Sequence, residues 1–397
     1  MPDSKALVIA LLTHSVNPRG GVVHTLALGE ALHDAGHRVT VFAPAVAGQR
    51  MFREARCQVE LVRAEPVAHG DTARMVRERI AAYVAHFEGM LATRRFDVFH
   101  AQDSISGNAL AELRERGLID GFVRTVHHLD HFDDERLSHW QQRAFAEASQ
   151  VLVVSKTWQR TMADAHGIVA ALVGNGVDLQ RYNAAPRARD AQVVERFGLS
   201  LGAPMFLAIG GVEERKNTQR IFEAFMQART SLPDAQLVIA GGASLLDHDA
   251  YQRDFAAMVA ASGIAQGPGQ PLLLTGTVPD DDMPALIRAA DVVLMPSLRE
   301  GFGLVVLEGL ATGKPVVVSR IAPFTEYLQD APVHWADPLD APSIAQAMCE
   351  ASQAPTFVPP PVCHAFSWVA SAARHAALYR LHAMSPGALF HRTADAI

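Results

Sequence analysis

The chain of 397 residues has only three cysteines, Cys57, Cys349 and Cys363, which are odd in number and far apart. They predict no disulfide framework and no paired-cysteine metal site, and they fit a reducing compartment. Long apolar runs are also missing. The N-terminal run over residues 6–12 is too short to span a membrane and lacks the basic flank and cleavage site of a signal peptide. We therefore expect a cytoplasmic protein, with peripheral membrane contact left open.

Charge of one sign is not concentrated in this chain, whose formal net charge is −7 at pH 7. No basic stripe for nucleic acid is visible, so we expect no nucleic-acid partner. Apolar residues make up 49% of the chain and charged residues 19%, as in ordinary soluble globular proteins. At this length we expect two or three domains, each with its own core.

Short apolar runs alternate with amphipathic, helix-length stretches, which is typical of parallel sheets with crossover helices. The predicted strands are Leu7–Leu12, Arg38–Phe42, Gln58–Val62, Val98–His100, Phe122–Val126, Val151–Val154, Met205–Ile209, Gln236–Ala240, Leu272–Leu274, Val292–Met295 and Pro315–Val318. The predicted helices between them include Val23–Ala35, Arg74–Ala92, Thr218–Thr230, Met283–Ala289 and Val305–Ala311. The pattern predicts an α/β protein with two doubly wound halves, which bind ligands at the carboxyl ends of their strands.

A polar, weakly patterned stretch marks the expected boundary between the halves. We predict an N-terminal domain over residues 1–176, a linker over 177–200 and a C-terminal domain over 201–365. Residues 366–397 are predicted to form a last amphipathic helix and a loosely structured tail. Neither half has a repeat that would indicate a solenoid or a propeller.

The most informative segment runs from Glu300 to Glu308 and reads Glu-Gly-Phe-Gly-Leu-Val-Val-Leu-Glu. It follows a short strand and predicts a loop and then a helix that opens at Gly303. A helix N-terminus offers unpaired N–H groups and a favourable dipole to an anion, of which a diphosphate is the obvious example. The two carboxylates would then bind hydroxyl groups beside it. The alternative is a solvated acidic loop with one glutamate near a helix start.

Other enzyme classes on an α/β architecture lack support in this sequence. Val306 stands where a dinucleotide fingerprint has its third glycine, which disfavours a dehydrogenase. Neither a Gly-x-Ser-x-Gly elbow nor a His-Glu-x-x-His helix occurs, so hydrolysis by an activated serine or a zinc ion is unsupported.

Two cationic side chains follow the first strand of the second half. Lys216 comes after Gly210 and Gly211 and is expected to reach the strand ends, where it would stabilise the charge of a departing diphosphate. Arg215 either adds a second cation there or is a solvated loop residue, because neighbours in a loop need not point the same way.

In the first half, His127 ends a predicted strand and could donate a hydrogen bond to a ligand there. The run from His127 to Asp134 could alternatively ligate zinc or iron, although no distant partner ligand is apparent. Gly20 and Gly21 predict a glycine loop before a helix, with room for a phosphate or another ligand group. Four residues just past strands are candidates for acceptor binding: His100, Asp103, Ser155 and Lys156.

The arrangement Pro-Ser-x-x-Glu-Gly-Phe-Gly-Leu-x-x-Leu-Glu resembles the donor-site motif of the family 4 retaining glycosyltransferases. Matching segments occur in order from residue 5 to about residue 382. They are residues 18–22 (Pro-Arg-Gly-Gly-Val), 175–178 (Asn-Gly-Val-Asp), 215–217 (Arg-Lys-Asn), 275–278 (Thr-Gly-Thr-Val) and 366–368 (Phe-Ser-Trp).

The resemblance implies the GT-B fold, in which two Rossmann-like domains face each other across a cleft and the last helix crosses back to the first. It implies transfer of a hexosyl unit from a nucleoside-diphosphate sugar, with retention and without a metal or other cofactor. The acceptor would be a small molecule, a lipid or a glycan. Donor base, donor sugar, acceptor and oligomeric state are not predicted.

The resemblance also assigns site residues. Glu308 would hold the ribose hydroxyls, Glu300 and His127 would lie near the donor sugar, and the base would lie against the backbone around Val278. Backbone groups would contact the sugar and diphosphate at Phe302, Gly303 and Leu304.

One position departs from the family, which usually has an arginine where this chain has Gly211. A sugar-nucleotide-binding protein without turnover therefore stays open as an alternative, as does a sugar-nucleotide epimerase.

Overall fold

The computed structural model describes residues 5–67, 71–242 and 249–385. The chain forms two compact units. The first contains the residues up to Asn175 together with those from Trp368 onward, and the second runs over Gly176–Ser367.

The strands of the described residues are β1 (Val8–Leu12), β2 (Arg38–Ala45), β3 (Gln58–Arg63), β4 (Val98–Ala101), β5 (Val123–Val126), β6 (Gln150–Val153), β7 (Ala171–Leu172), β8 (Met205–Ile209), β9 (Gln236–Ala240), β10 (Leu272–Gly276), β11 (Val292–Met295), β12 (Val316–Ser319) and β13 (Val333–Ala336). The helices are α1 (Gly20–Asp34), α2 (Thr72–Leu91), α3 (Ser104–Glu115), α4 (Glu135–Ala146), α5 (Lys156–His166), α6 (Ala188–Phe197), α7 (Thr218–Ala228), α8 (Asp249–Ser262), α9 (Met283–Ala289), α10 (Leu304–Ala311), α11 (Phe324–Tyr327), α12 (Ala341–Ser352), α13 (Pro361–Ala365) and α14 (Trp368–Met384).

The first unit is built on a parallel sheet in the order β3-β2-β1-β4-β5-β6-β7. Its strands read as apolar runs because helices cover both faces of the sheet. On one face Phe42, Phe87 and Phe99 belong to a core with α2 and α3. On the other face Leu11 and Tyr379 belong to a core with α1 and α14. Helix α14, at the end of the described chain, is thus part of the first unit.

The second unit repeats this topology with a parallel sheet in the order β10-β9-β8-β11-β12-β13. In each sheet the chain moves outward in one direction and then returns to the other side of its first strand. The loops that leave neighbouring strands at this switch point turn to opposite faces, which opens a crevice at their carboxyl ends. In the second unit these are the loops after β8 and β11.

The predicted α/β class is confirmed, and the eleven predicted strands are present with ends within three residues of the prediction. Two short strands, β7 and β13, were missed. Helix α1 begins at Gly20 rather than near Val23, so the glycine pair forms its first two residues instead of a preceding loop.

The predicted linker over residues 177–200 is not a separate connection. It belongs to the second unit and contains α6, which packs against α9. The Arg288 guanidinium donates to the Asp190 carboxylate at 2.6 and 2.9 Å. Helix α6 is polar on average, and Val193 is its one buried residue, so its sequence gives little sign that the helix packs against the second unit. The predicted tail after Ser385 lies outside the described residues.

In the described ranges, no helix combines the length and the apolar character that crossing a bilayer requires.

Candidate functional site

The loops after β8 and β11 meet in the second unit and are tied together by their backbones. The Leu298 amide donates to the Arg215 carbonyl at 2.9 Å. Asn217 holds the same junction from the other side, because its side-chain amide donates to the Pro296 carbonyl at 2.9 Å and to the Pro338 carbonyl at 2.7 Å. Asn217 is also the one non-glycine residue of the described chain with positive φ, at 64°. Asparagine tolerates this conformation better than most residues.

Glu300 receives three donors on one carboxylate oxygen at this junction. Its Oε1 lies 2.7 Å from Lys216 Nζ, 3.0 Å from Arg215 Nη1 and 3.0 Å from Ser297 Oγ. The carboxylate side chain is only 8% exposed. Burial alone would raise the pKa of Glu300, but Lys216 and Arg215 outweigh it and lower the pKa to about 2. Glu300 is therefore ionised at neutral pH.

The structure decides the orientation of Arg215. Its guanidinium turns to the same oxygen as the Lys216 ammonium, so it is not a solvated loop charge. Two cations thus stand together beside one carboxylate. Burial lowers the pKa of Lys216, while the Glu300 carboxylate opposes that effect.

Two glycines shape the loop that carries these cations. A side chain at Gly210 would run into the Lys216 stem, which packs over this glycine. Gly211 has φ of 76°, and a Cβ there would lie 3.0 Å from the Gly242 carbonyl oxygen. The family usually has an arginine at the position of Gly211. In this chain the backbone conformation at that position disfavours every L side chain.

Gly303 sits at the N-terminus of α10 with φ of 90°, and a Cβ there would collide with the Phe324 ring. It supplies no side-chain cap, so the first N–H groups of α10 are not satisfied in that way. Phe302 is anchored instead, since its carbonyl accepts from the Tyr327 hydroxyl at 2.7 Å and its ring stacks on the Tyr327 ring at 4.7 Å. In this loop, the backbone N–H groups at Gly303 and Leu304, where the helix starts, are suited to binding an anion.

Glu308 lies in the second turn of α10 and is half-buried. Burial raises the pKa of Glu308 to about 7, although Arg181 and Tyr182 act in the opposite direction. Val278, predicted to lie near the base, is buried, and Asp280 follows it two residues later.

Arg181, Tyr182 and Asp280 were not among the residues predicted from the sequence. The signal that could have found the first two is the segment at residues 175–178. The Asp178 side chain caps the turn that follows by accepting from the backbone amides of Gln180 and Arg181 at 2.9 and 3.1 Å. The same turn holds Tyr182, whose amide donates to the Asp178 carbonyl at 2.8 Å.

In the first unit, His127 lies at the carboxyl end of β5 next to the start of α1. A Cβ at Gly21 would be 4.0 Å from the His127 ring, whereas Gly20 has open space around it. His127 Nε2 donates to the Gln102 side-chain oxygen at 2.9 Å, and its ring lies edge-on to His24 at 4.5 Å. Burial, strengthened by nearby His24 and Arg124, keeps the pKa of His127 well below its ordinary value. This imidazole is neutral at pH 7, with Nδ1 as its acceptor nitrogen.

Several acceptor candidates of the first unit have structural roles instead. His100 is fully buried, with Nδ1 2.5 Å from the Tyr379 hydroxyl and Nε2 2.8 Å from the Thr125 hydroxyl. Asp103 and Ser155 cap the N-termini of α3 and α5. Capping explains why such residues follow strands in this fold, and Lys156 is the first residue of α5.

The histidine-rich run after β5 does not form a set of metal ligands. His128 pairs with Asp130 at 3.3 Å and His131 lies 3.8 Å from Asp133. Within residues 5–67, 71–242 and 249–385, no three histidine, cysteine, aspartate or glutamate side chains are grouped as a metal site would require.

Comparison with known proteins accounts for this combination of fold and motifs. Residues 18–181 match the family described as Glycosyltransferase Family 4, and residues 203–353 match the family described as Glycosyl transferases group 1. The chain belongs to the family 4 glycosyltransferases. It is accordingly a transferase, with the two Rossmann-like α/β units of the GT-B fold.

The similarity of this glycosyltransferase to curated relatives and to solved structures covers most of its chain. It is 26% identical to an uncharacterised glycosyltransferase of Methanocaldococcus jannaschii, over 85% of this chain and 87% of the relative. It is 28% identical to a D-inositol 3-phosphate glycosyltransferase of Salinispora tropica, over 80% and 72%. Sucrose-phosphate synthase from Thermosynechococcus elongatus has a similar fold, with a TM-score of 0.74, 21% identity and coverage of 96% and 100%. Anabaena HepE in complex with UDP-glucose has a TM-score of 0.70, 18% identity and coverage of 94% and 100%.

Proposed function

We propose that this glycosyltransferase transfers a hexosyl unit from a nucleoside-diphosphate sugar to a hydroxyl acceptor, with retention of configuration and without a metal ion. The observation that carries the proposal is the junction at Glu300, where Lys216 and Arg215 stand together near the N-terminus of α10. A solved structure of similar fold contains UDP-glucose, which supports a sugar nucleotide as the donor class.

The donor is held at three points in this proposal. Glu308 accepts hydrogen bonds from the ribose hydroxyls, and the base lies against the backbone at Val278. The N–H groups at Gly303 and Leu304 bind the diphosphate, since a helix N-terminus favours an anion. Glu300 stays ionised and accepts from a hydroxyl of the donor sugar, with a free carboxylate oxygen beside the one that the two cations occupy.

The transfer reaction requires a group that stabilises the negative charge of the leaving diphosphate. The bond from the anomeric carbon to the diphosphate oxygen breaks as the acceptor oxygen bonds to the same face of that carbon. The proton of the acceptor hydroxyl passes to the departing diphosphate. Lys216 and Arg215 stabilise the charge that grows on this diphosphate, and fixed cations do so most strongly away from bulk water.

His127 and the glycine pair at the start of α1 serve the sugar and the acceptor in the first unit. The neutral imidazole accepts a hydrogen bond through Nδ1, and the missing side chains at Gly20 and Gly21 leave room beside it. We place no metal in this reaction. The acceptor is a small molecule, a lipid or a glycan, and the protein acts in the cytoplasm or at its membrane surface.

Arg215 also argues against the alternative of a binding protein without turnover. That alternative rests on Gly211, but the guanidinium that the family has at this position is supplied here by Arg215, four residues later. The epimerase alternative has no specific contact in its favour.

A screen of UDP-, GDP- and ADP-sugars tests the proposal. We expect one of these donors to raise the melting temperature and to be hydrolysed slowly, with and without EDTA. That donor is then offered with inositol phosphates, lipids and sugars as acceptors. Glu308→Ala should weaken donor binding at least about tenfold without a change in fold, because a hydrogen bond to a charged group contributes about 1.5–3 kcal/mol. Unchanged affinity would remove the ribose role of Glu308.

A further inference from the structure

The peptide unit that joins Phe302 to Gly303, just before α10, is held by a hydroxyl group from α11. We propose that Tyr327 is a positioning residue whose hydroxyl fixes this peptide so that the Gly303 N–H points at the diphosphate of the donor. This inference rests on the proposed function, because it explains how the helix start that binds the diphosphate acquires its geometry.

The contact is a hydrogen bond to the backbone. The Tyr327 hydroxyl donates to the Phe302 carbonyl at 2.7 Å. Burial raises the pKa of Tyr327 well above its ordinary value, so the phenol keeps its proton at neutral pH. The carbonyl that accepts it belongs to the same planar peptide unit as the Gly303 nitrogen. Because the C=O and N–H bonds of a trans peptide are antiparallel, the hydroxyl that fixes the first also fixes the direction of the second.

Aromatic packing keeps the Tyr327 hydroxyl in place. The Tyr327 ring stacks on the Phe302 ring, with centroids 4.7 Å apart and an angle of 3° between the planes. The Phe366 ring lies 5.3 Å from each of these rings and is tilted by 59° and 58° against them. Aromatic rings favour separations and tilts of this kind. The phenol is therefore held over the residue whose carbonyl it binds.

Gly303 is the residue at which this peptide could otherwise rotate. Its φ is 90°, and glycine has fewer barriers to backbone rotation than any other residue. The Phe324 ring, also on α11, packs so close to Gly303 that an added Cβ would collide with it. Among the described residues, the amides of Gly303 and Leu304 have no backbone acceptor. Helix α11 thus restrains the peptide and leaves its N–H available to a ligand.

Loss of the Tyr327 hydroxyl should have a specific consequence. Tyr327→Phe keeps the aromatic ring and leaves the Phe302 carbonyl without its donor. The peptide can then rotate, so the Gly303 N–H points at the diphosphate in only part of the molecules. A carbonyl that accepts a hydrogen bond also polarises its own peptide, so the N–H becomes a weaker donor once the hydroxyl is gone. Both effects weaken binding of the diphosphate and leave contacts with the base and the ribose unchanged.

Calorimetric titration of the full chain with UDP-glucose, GDP-mannose and ADP-glucose, and then with the nucleoside of the accepted donor, tests this inference. We expect Tyr327→Phe to weaken binding of the donor about tenfold, as for one lost hydrogen bond to a charged group. Binding of uridine, guanosine or adenosine, which lack the diphosphate, should not change. A merely structural role of Tyr327 would weaken both.

Tyr251→Phe is the matched control. Tyr251 is a half-buried tyrosine of the same unit, and its hydroxyl accepts from the Gln219 amide at 2.9 Å. The control also removes one phenol hydroxyl from a backbone contact, but it should leave the affinities for donor and nucleoside unchanged.

The possible results separate this inference from the proposed function. If Tyr327→Phe binds the donor as the wild type does, or weakens donor and nucleoside by the same factor, the role of Tyr327 is overturned and the proposed function stands. If the wild type binds none of the three donors, both are overturned.

A second measurement uses the wild type and does not depend on the folding of the variant. With isotope-labelled glycine, the Gly303 amide resonance, identified by its loss in Gly303→Ala, should shift when the donor is added and stay in place with the nucleoside. A resonance that does not respond to a bound donor would overturn the inference.

Discussion

Replacement of Lys216 by methionine tests the central charge cluster most directly. Methionine keeps an apolar stem of similar length over Gly210 and removes the ammonium that lies 2.7 Å from Glu300. The change therefore isolates the charge from the packing. It should affect both the stability of the second unit and the rate of transfer.

The stability effect can be worked from Glu300. A pKa of about 2 in place of the ordinary 4.5 corresponds to about 3 kcal/mol of stabilisation at neutral pH. Because the folded pKa is depressed, this stabilisation is present above about pH 4.5 and is lost as pH falls towards about 2. Arg215, whose Nη1 lies 3.0 Å from the same oxygen, should remain as a partner of Glu300 after the change. We therefore expect Lys216→Met to lose about 1–2 kcal/mol at pH 7, rather than the roughly 3–5 kcal/mol typical of a fully broken buried pair.

The catalytic effect should be larger than the effect on donor affinity. One fixed donor or cation aimed at developing charge contributes about 10²–10³-fold to kcat. Lys216→Met should lower kcat by that factor with a smaller change in KM, because the cation acts mainly on the departing diphosphate.

Urea unfolding between pH 3 and 8 and steady-state transfer at saturating donor measure the two effects. Lys314→Met is the matched control, since Lys314 is a half-buried lysine of the same unit outside the charge cluster. A near-wild-type kcat in Lys216→Met would refute stabilisation of the leaving group by this lysine. An unchanged free energy of unfolding would show that Lys216 does not hold Glu300.

Two glycine substitutions give further predictions. Gly303→Ala should destabilise the protein by about 1–3 kcal/mol and weaken donor binding, because the alanine is strained at φ of 90° and collides with Phe324. The control is Gly89→Ala, in open space on α2, which should be neutral or stabilising in the same thermal melts. Gly211→Arg should restore the family residue without raising kcat and should cost about 1–2 kcal/mol at φ of 76°. An increase in kcat would contradict the view that Arg215 already supplies the guanidinium, and Gly211→Ala separates backbone strain from charge.

Local sequence patterns were sufficient for much of the fold. Apolar runs such as Met205–Ile209 and Val292–Met295 were placed without error, since a strand buried on both faces needs a continuous run of branched apolar residues. The two-residue strand β7 and the polar helix α6 escaped notice because they contribute few buried positions. Their structure depends on neighbours distant in sequence, such as the Asp190–Arg288 pair.

Strand ends were less reliable as indicators of function. His100 lies near the end of β4, and Asp103 and Ser155 follow strands, as ligand-binding residues do. However, Asp103 and Ser155 cap helices, and His100 is buried inside the first unit. A polar residue after a strand satisfies backbone groups as readily as it binds a ligand. Only the tertiary contacts distinguish the two uses.

The sequence by itself determined the α/β class, the family and the segment from Glu300 to Glu308, because all three depend on residue spacing along one stretch of chain. Tertiary structure alone decided that Lys216 and Arg215 share one oxygen of Glu300, from which Lys216 is separated by 84 positions. Contacts of this kind depend on backbone torsions in two loops, including the positive φ of Asn217, and on burial, which strengthens the attraction between the charges. No local sequence pattern specifies these torsions or this burial.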